Sequence, residues 1–257
     1  MNPNYFPILI ALGLFLGMLV LLEVGRRIGA RHLGRHGEAA PAGLGAVQGA
    51  IFGLMGLVLA FTFSGAAARF DTRRALIVDE ANAIRTAWLR LDLLPAEAQP
   101  ALRESFRRYV DARLDVYRRL PDFDAALAAL TQVAALQKEI WSAAAAATRE
   151  RPPAAGLLLP ALNQMIDVTT RQTMASRMHP PAIIFIMLGA LALTGSLLAG
   201  YGMAAAKARN WFHILAFVAI MAVTIYVIID LELPRLGLIR VDDFDQILVE
   251  LRQGMEE

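Results

Sequence analysis

Four long segments of this 257-residue chain contain no charged side chain. They cover residues 1–22, 41–68, 180–206 and 210–229. A helix rises about 1.5 Å per residue, so each segment is long enough to cross a hydrocarbon core of about 30 Å. We therefore predict an all-α membrane protein with four transmembrane helices and a helical extramembrane insert between helices two and three. A soluble enzyme and a disordered chain are excluded.

The uncharged segments divide the chain into four parts. Residues 1–68 hold helices one and two, and residues 69–179 form the soluble insert. Residues 180–230 hold helices three and four, and residues 231–257 form a C-terminal tail with a short helix. The insert has apolar residues at intervals of three and four and no alternating pattern, which predicts helices and no strands.

The first two membrane helices differ in their predicted length. Helix one is predicted over residues 5–24, and the arginine-rich residues that follow it are interpreted as a linker. Helix two is predicted over residues 45–68. No helix-breaking residue follows it before Pro95, so it is expected to continue out of the bilayer as one rod of about 50 residues.

The insert contains three further predicted helices, over residues 101–120, 123–150 and 157–178. Asp122 is the candidate N-cap of the second of these, and Asp243 is the candidate N-cap of the tail helix. The charges of the first of these helices, Arg113 among them, include oppositely charged pairs four residues apart. They are interpreted as a solvated, salt-bridged face.

Enzyme-like constellations are absent from the sequence. The chain has no cysteine, which excludes thiolate nucleophiles and thiolate metal sites. His32 and His36 are four residues apart, a spacing that could place both imidazoles on one metal ion. Glycines lie between them, however, and the sequence offers no acidic side chain beside them as a further ligand. Asp79 and Glu80 are adjacent and point to different helix faces. No enzyme activity and no cofactor are predicted, and the matched charges, with a net of +2, predict no nucleic-acid partner.

Helix two combines small and bulky apolar residues. The small ones are Gly45, Gly49, Gly53, Gly56 and Ala60, and the bulky ones are Phe52, Leu57, Phe61 and Phe63. Two interpretations remain open. The pattern suits tight packing between helices, and it equally suits a ring of apolar side chains around a symmetry axis that gates by wetting and dewetting.

A family resemblance rests on several segments of the chain. Residues 59–74, 80–84, 89–95 and 230–241 resemble the bacterial bestrophin-like domain family of membrane proteins, and the likeness spans nearly the whole sequence. The chain is more distantly similar to bestrophin ion channels. These share the layout of two membrane helices, a helical cytosolic insert, two more helices and a tail.

The resemblance implies a homo-oligomer, a pentamer, that lies in the lipid bilayer and conducts small inorganic ions. It assigns three groups of residues: the pore neck to Gly53, Leu57 and Phe61, the pore mouth to Arg69, Phe70 and Arg74, and the tail motif to Glu232, Pro234 and Gly237. Thr62, Ser64 and Asp71 depart from the bestrophin pattern, so the resemblance does not extend to ion selectivity.

Two further expectations follow from the resemblance, and one alternative function stands against it. Asp242, Asp243 and Asp245 are weak calcium candidates, with N-capping as the simpler explanation. The location is a bacterial inner membrane, with the insert and both termini in the cytoplasm, whereas the basic short loops favour the opposite orientation. The alternative function is a non-conducting membrane scaffold or sensor whose helical insert binds a partner protein.

Overall fold

The computed structural model of the chain describes residues 5–36, 44–120, 122–206 and 210–256. Two compact units are formed, one by residues 1–68 with 179–239 and the other by residues 69–178 with 240–257. Among the described residues there is no strand. The helices are, in chain order, α1 (Phe6–His36), α2 (Leu44–Leu89), α3 (Gln99–Arg119), α4 (Phe123–Ala147), α5 (Pro152–Arg177), α6 (Ala182–Gly202), α7 (Trp211–Glu232) and α8 (Asp242–Gln253).

The first unit contains the four predicted membrane helices. Four helical stretches of the described chain are long and apolar enough to cross a membrane, which confirms the prediction. The helix that begins at Leu44 is a single element of 46 residues, and a 3₁₀ turn over Arg90–Leu93 follows it before Pro95. The predicted rod is therefore confirmed as one continuous helix.

Close approach of two backbones holds the first unit together. Helix α1 packs along α6 and α7 around an apolar core that includes Met18 and Val218. A Cβ atom at Gly25 would lie 1.9 Å from the carbonyl oxygen of Leu197, and one at Gly200 would lie 1.9 Å from that of Leu22. Glycine is needed at both positions because a side chain would separate the helices.

The prediction of a linker directly after residue 24 is wrong, because α1 continues to His36. Glu23 accepts hydrogen bonds from Arg26 at 3.0 Å and from Arg27 at 2.8 Å, one helical turn ahead. Such pairs at three and four residues stabilise a helix. The loop charges at Glu38, Lys207 and Arg209 lie outside the described residues.

The second unit is built from the remainder of α2, from Arg69 onward, with α3, α4, α5 and α8. Its core is apolar and includes Ile84, Phe106, Ile140 and Leu158. The tail helix α8 is joined to α3 by a bidentate ion pair, in which Arg252 donates to both carboxylate oxygens of Asp111 at 2.9 and 3.2 Å. The tail helix thus belongs to this unit.

Helix starts were predicted with mixed success. Asp122 caps α4 as predicted, since its side chain accepts from the backbone N–H of Ala125 at 3.0 Å. The start predicted at residue 157 is wrong because Pro152 itself opens α5, where the missing N–H and the fixed φ of proline suit the first turn. The predicted cap at Asp243 is also wrong, because Val241 occupies the N-cap position of α8.

We expect Gly25→Ala to destabilise the first unit, because the added methyl group has no room beside the backbone of α6. Overpacking of this kind costs about 1–3 kcal/mol. Gly13→Ala is the matched control on the same helix, since a Cβ there would meet no atom within 4 Å. The measurement is the thermal unfolding midpoint of the purified protein in detergent. Equal midpoints for the two variants would contradict the close packing of α1 and α6.

Candidate pore-lining helix and its supporting clusters

One face of α2 in the first unit is left uncovered by the rest of the chain. Among the predicted neck residues, Leu57 is 53% exposed and Phe61 is 71% exposed. A Cβ at Gly53 would meet no atom within 4 Å. The same face carries further exposed small residues, Ala46, Ala50, Ala60, Ser64 and Ala68, and the larger Val47 and Leu54 are exposed at its edge. The three predicted neck residues thus share one open face.

The opposite face of α2 is packed within the unit. Met55 is buried, and the Nε2 of Gln48 donates to the carbonyl of Leu198 at 3.0 Å. The rings of Phe52 and Phe217 meet edge to face, with centroids 6.2 Å apart. Even so, only 11% of the most apolar 18-residue window of the α2 span is buried, against 50% for α7. Among these two spans, α2 is by far the less covered.

The exposed positions of α2 in the second unit follow the same intervals of three and four. One series is Asp71, Ala75, Asp79, Asn82 and Thr86, and the exposed Thr72, Arg85 and Leu89 lie outside this series. Three residues of the series, with Gln164 of α5, line a surface cavity of about 240 Å³. The charged side chains of the series are both carboxylates, one of which, Asp71, lies 3.3 Å from the Nη1 of Arg74, and the uncharged ones are small or polar. Unlike the face in the first unit, this one is hydrophilic.

The residues predicted for the pore mouth have different environments. Phe70 is buried, whereas Arg69 is half-buried. The guanidinium carbon of Arg74 lies 5.7 Å from the centroid of the Phe70 ring and 4.5 Å from that of Phe244, in α8. Two aromatic faces on one cation form a cation–π contact that joins α2 to α8. The sequence analysis did not identify Phe244, which is far from Arg74 along the chain.

The tail motif folds around Asp230, which the sequence analysis did not select as a site residue. This buried carboxylate accepts hydrogen bonds from the backbone N–H groups of Leu238 at 3.0 Å and Ile239 at 2.7 Å. It also accepts one from the hydroxyl of Tyr226 at 3.1 Å. A Cβ at Gly237 would lie 1.5 Å from the Asp230 carboxylate, so only glycine fits beside it.

The other two tail-motif residues lie close to this turn. Pro234 is the second residue of a turn closed by the bond from the N–H of Leu236 to the carbonyl of Leu233, 2.9 Å long, where proline is favoured. Glu232 is buried, and its Oε2 lies 3.9 Å from the Nδ1 of His179. Both of those side chains line a mostly apolar cavity of about 350 Å³ among α1, α6 and α7.

The calcium candidates in the tail have limited ligand capacity. Asp242 forms an ion pair with Arg240, and Asp245 is half-buried. The side chain of Asp243 lies outside the described ones. Within the described part of the chain, no group of three histidine, cysteine or carboxylate side chains is arranged to hold a metal ion.

A buried ion pair in the second unit was missed by the sequence analysis. Arg113, which was predicted on a solvated face, is fully buried and donates to both carboxylate oxygens of Glu80. The hydroxyl of Tyr117 donates to the same carboxylate at 2.6 Å. The prediction failed because the partner lies 33 residues away. The available signal was the placement of Arg113 between Tyr109 and Tyr117, each four residues away.

Burial and charge act together on these side chains. Burial alone would lower the pKa of Arg113, but the charge of Glu80 and its hydrogen bonds raise that pKa above its usual value. Burial and the negative charge of Glu80 both raise the pKa of the Tyr117 hydroxyl. The phenol therefore stays protonated and serves as a donor to the carboxylate. The charges of the cluster are an arginine cation and a glutamate anion.

The exposed ion pairs of α3 also differ from the predicted ones. Of the pairs four residues apart, the structure forms the one between Asp115 and Arg119, with atoms 2.6 Å apart. Arg108 instead pairs with Glu139 of α4, and Asp111 pairs with α8 as described above. Contacts between helices thus replace two of the pairs expected along α3, while Glu104 pairs with Arg107, three residues ahead, at 3.4 Å.

Known proteins resemble this chain in sequence and in fold. The sequence profile of the Bestrophin-like domain matches residues 12–244. Among solved structures, the chain is similar to a mutant of a bacterial bestrophin homologue from Klebsiella pneumoniae, with a TM-score of 0.70 and 16% sequence identity. The likeness covers 98% of this chain and 99% of that one, and at this identity it shows the fold. No curated protein matches the chain.

We expect Glu80→Gln to lower the free energy of unfolding by about 3–5 kcal/mol, because it leaves the Arg113 cation buried without its carboxylate. Asp115→Asn removes an acid from an exposed pair and should change stability little. A double variant, Glu80→Met with Arg113→Met, should recover most of the loss, since apolar side chains need no counter-charge. Thermal unfolding of the purified variants tests this. Equal unfolding midpoints for the Glu80→Gln and Asp115→Asn proteins would refute the stabilising role of the buried pair.

Proposed function

Because its match to the family profile over residues 12–244 makes this chain a member of the bestrophin-like family, we propose that it is a homo-oligomeric ion channel whose neck is formed by α2. Family and fold together support a membrane protein of the ion-channel type. The finer features proposed below are the assembly, the neck residues and the preferred ion.

The open face of α2 is the observation that carries the proposal. A face that only met lipid tails would be expected to carry large apolar side chains along its length. This face instead carries small residues at most positions, including Gly53, which suits close approach of neighbouring helices. The large exposed groups include Leu57 and Phe61, and Val47 and Leu54 are exposed at the edge of the face beside Phe61. Copies of the chain gathered with this face inward would enclose a narrow path.

The neck is proposed at Leu57 and Phe61, the large exposed side chains to which the family resemblance assigns it. Rings of Leu57 and Phe61, contributed by each copy, would form an apolar constriction one helical turn deep. Water wets such a constriction only when it widens, so it can hold back ions without any charged gate. Five copies are proposed because bestrophins, which the chain resembles, are pentamers.

The second half of α2 supports a preference for cations. The series of exposed positions 71, 75, 79, 82 and 86 holds two carboxylates, of which Asp71 pairs with Arg74, and the exposed Arg85 lies outside this series. In a ring of copies, Asp71 and Asp79 would each be repeated around the axis, and rings of acidic side chains attract cations into a pore. Asn82 and Thr86 would add neutral oxygen atoms that can replace part of an ion's water shell.

The location is proposed as a bacterial inner membrane with the insert and both termini in the cytoplasm, as the family layout implies. In this orientation the carboxylates of the second unit would lie on the cytoplasmic side of the neck. They would raise the local concentration of cations before these reach the apolar constriction.

We expect the double variant Leu57→Ala with Phe61→Ala to raise ion flux into liposomes, because smaller side chains widen and wet the constriction. Phe63→Ala is the matched control, since Phe63 is an exposed phenylalanine on another side of α2. The particle mass in detergent is measured alongside. A monomer or dimer, or background flux in both the native protein and the double variant, would remove the pore and favour a non-conducting scaffold.

We expect Asp79→Asn to reduce the preference of the channel for potassium over chloride, because it removes one carboxylate per copy from the open face. The measurement is the reversal potential in a salt gradient across a planar bilayer. Glu97→Gln removes an exposed carboxylate from the turn before α3 and serves as the control. A native channel that prefers chloride would exclude the cation proposal while leaving the neck proposal intact.

A further inference from the structure

Helix α1 carries one exposed stripe that changes character along its length. Its first part is apolar and includes Leu9, Leu16, Val20 and Val24, which are all exposed. At the same intervals of three and four, the stripe continues as exposed arginines: Arg27, Arg31 and Arg35. A single helix face therefore passes from hydrocarbon-like to strongly basic.

The basic part of the stripe is held in place by the rest of the first unit. On the other side of α1, Gly25 and Gly29 are buried, and a Cβ at Gly29 would lie 2.6 Å from the Cβ of Ala204. The ring of His32 lies 6.3 Å from that of Tyr201. These contacts continue beyond the apolar segment, so the backbone that carries the arginines is already ordered, and binding a partner restricts only their side chains.

The charge of this stripe is mostly uncompensated. Glu23 accepts from Arg26 and Arg27, and its carboxylate balances one positive charge. Arg31 and Arg35 are exposed, and within residues 5–36 the acidic side chain is Glu23, eight residues before Arg31. The end of α1 thus presents a net positive surface that would attract anions.

Two observations set the depth of the arginines in a bilayer. Leu9 to Val24 spans about 22 Å of helix, so the apolar stripe occupies most of a hydrocarbon core of about 30 Å and the arginines follow at its edge. Helix α7 runs opposite to α1, since Ile10 lines the same cavity as Leu233 near the end of α7. Its first residue, Trp211, is exposed at the end of the unit where α1 ends. Tryptophan is typical of the membrane interface.

We propose that Arg27, Arg31 and Arg35 form a binding surface for the head groups of anionic phospholipids. The phosphates of such lipids lie at the depth of the arginines, and their acyl chains lie at the depth of the apolar stripe. Guanidinium groups bind phosphate through paired hydrogen bonds, so the contact has geometric as well as electrostatic strength. This surface is on α1 and does not depend on whether α2 lines a pore.

The test uses the full-length protein in vesicles of phosphatidylcholine, with and without added phosphatidylglycerol. We expect phosphatidylglycerol to raise the thermal unfolding midpoint of the native protein at low salt. The rise should shrink at about 1 M salt, where the Debye length is about 3 Å. The triple variant Arg27→Gln, Arg31→Gln, Arg35→Gln should lose most of the rise and bind phosphatidylglycerol at least about tenfold more weakly.

Two matched variants keep the result interpretable. Arg118→Gln, Arg149→Gln, Arg151→Gln removes the same charge from exposed positions of the second unit and should keep the full rise. Arg27→Lys, Arg31→Lys, Arg35→Lys keeps the charge and should retain part of it. No rise in the native protein, or an equal rise in both glutamine variants, would overturn the proposal. A stripe covered by a second copy of the chain would give the first of these results.

Discussion

The exclusion of charge from the hydrocarbon core of a bilayer is the constraint on which the rest of this structure depends. Burying an ion in an apolar medium is costly, so the four spans are nearly free of charged groups and the charges collect where the spans end. At the end of α1 they form a basic stripe. At the end of α7 the Asp230 carboxylate is instead satisfied by backbone N–H groups of the turn that follows. The same constraint thus gives a basic surface at one site and a folded turn at the other.

Most of the fold could be predicted from the sequence because its signals are local. Four uncharged segments, the absence of a breaker in α2 and the cap at Asp122 each depend on residues close in the chain. The errors arose where the deciding contact is distant. The arginines after residue 24 suggested a linker, but Gly25 and Gly29 are the positions at which α1 approaches Leu197 and Ala204, and the helix continues. The arginine of the buried pair was assigned to solvent because Glu80 lies on another helix.

The candidate site was predictable only in part for the same reason. The family resemblance assigned Gly53, Leu57 and Phe61, and their spacing by four is enough to group them on one helix face. Periodicity does not show whether that face is open, because this depends on which surfaces the other helices cover. The contact of Arg74 with Phe244 and the role of Asp230 join segments that have no sequence signal in common. The assembly proposed around α2 remains a prediction that depends on contacts between copies.

The adjacent residues Asp79 and Glu80 explain what fixes the rotation of α2 about its own axis in the second unit. They are separated by about 100° around the helix, so burial of Glu80 against Arg113 obliges Asp79 to face outward. Rotating the helix enough to hide Asp79 would withdraw Glu80 from its cation and from the Tyr117 hydroxyl. Separating a buried ion pair costs several kcal/mol in each copy of the chain. A modest gating stimulus does not supply that much free energy. Opening of the proposed channel is therefore better assigned to the apolar neck, where Leu57 and Phe61 can change rotamer without breaking an ion pair, than to a rotation of α2 as a whole.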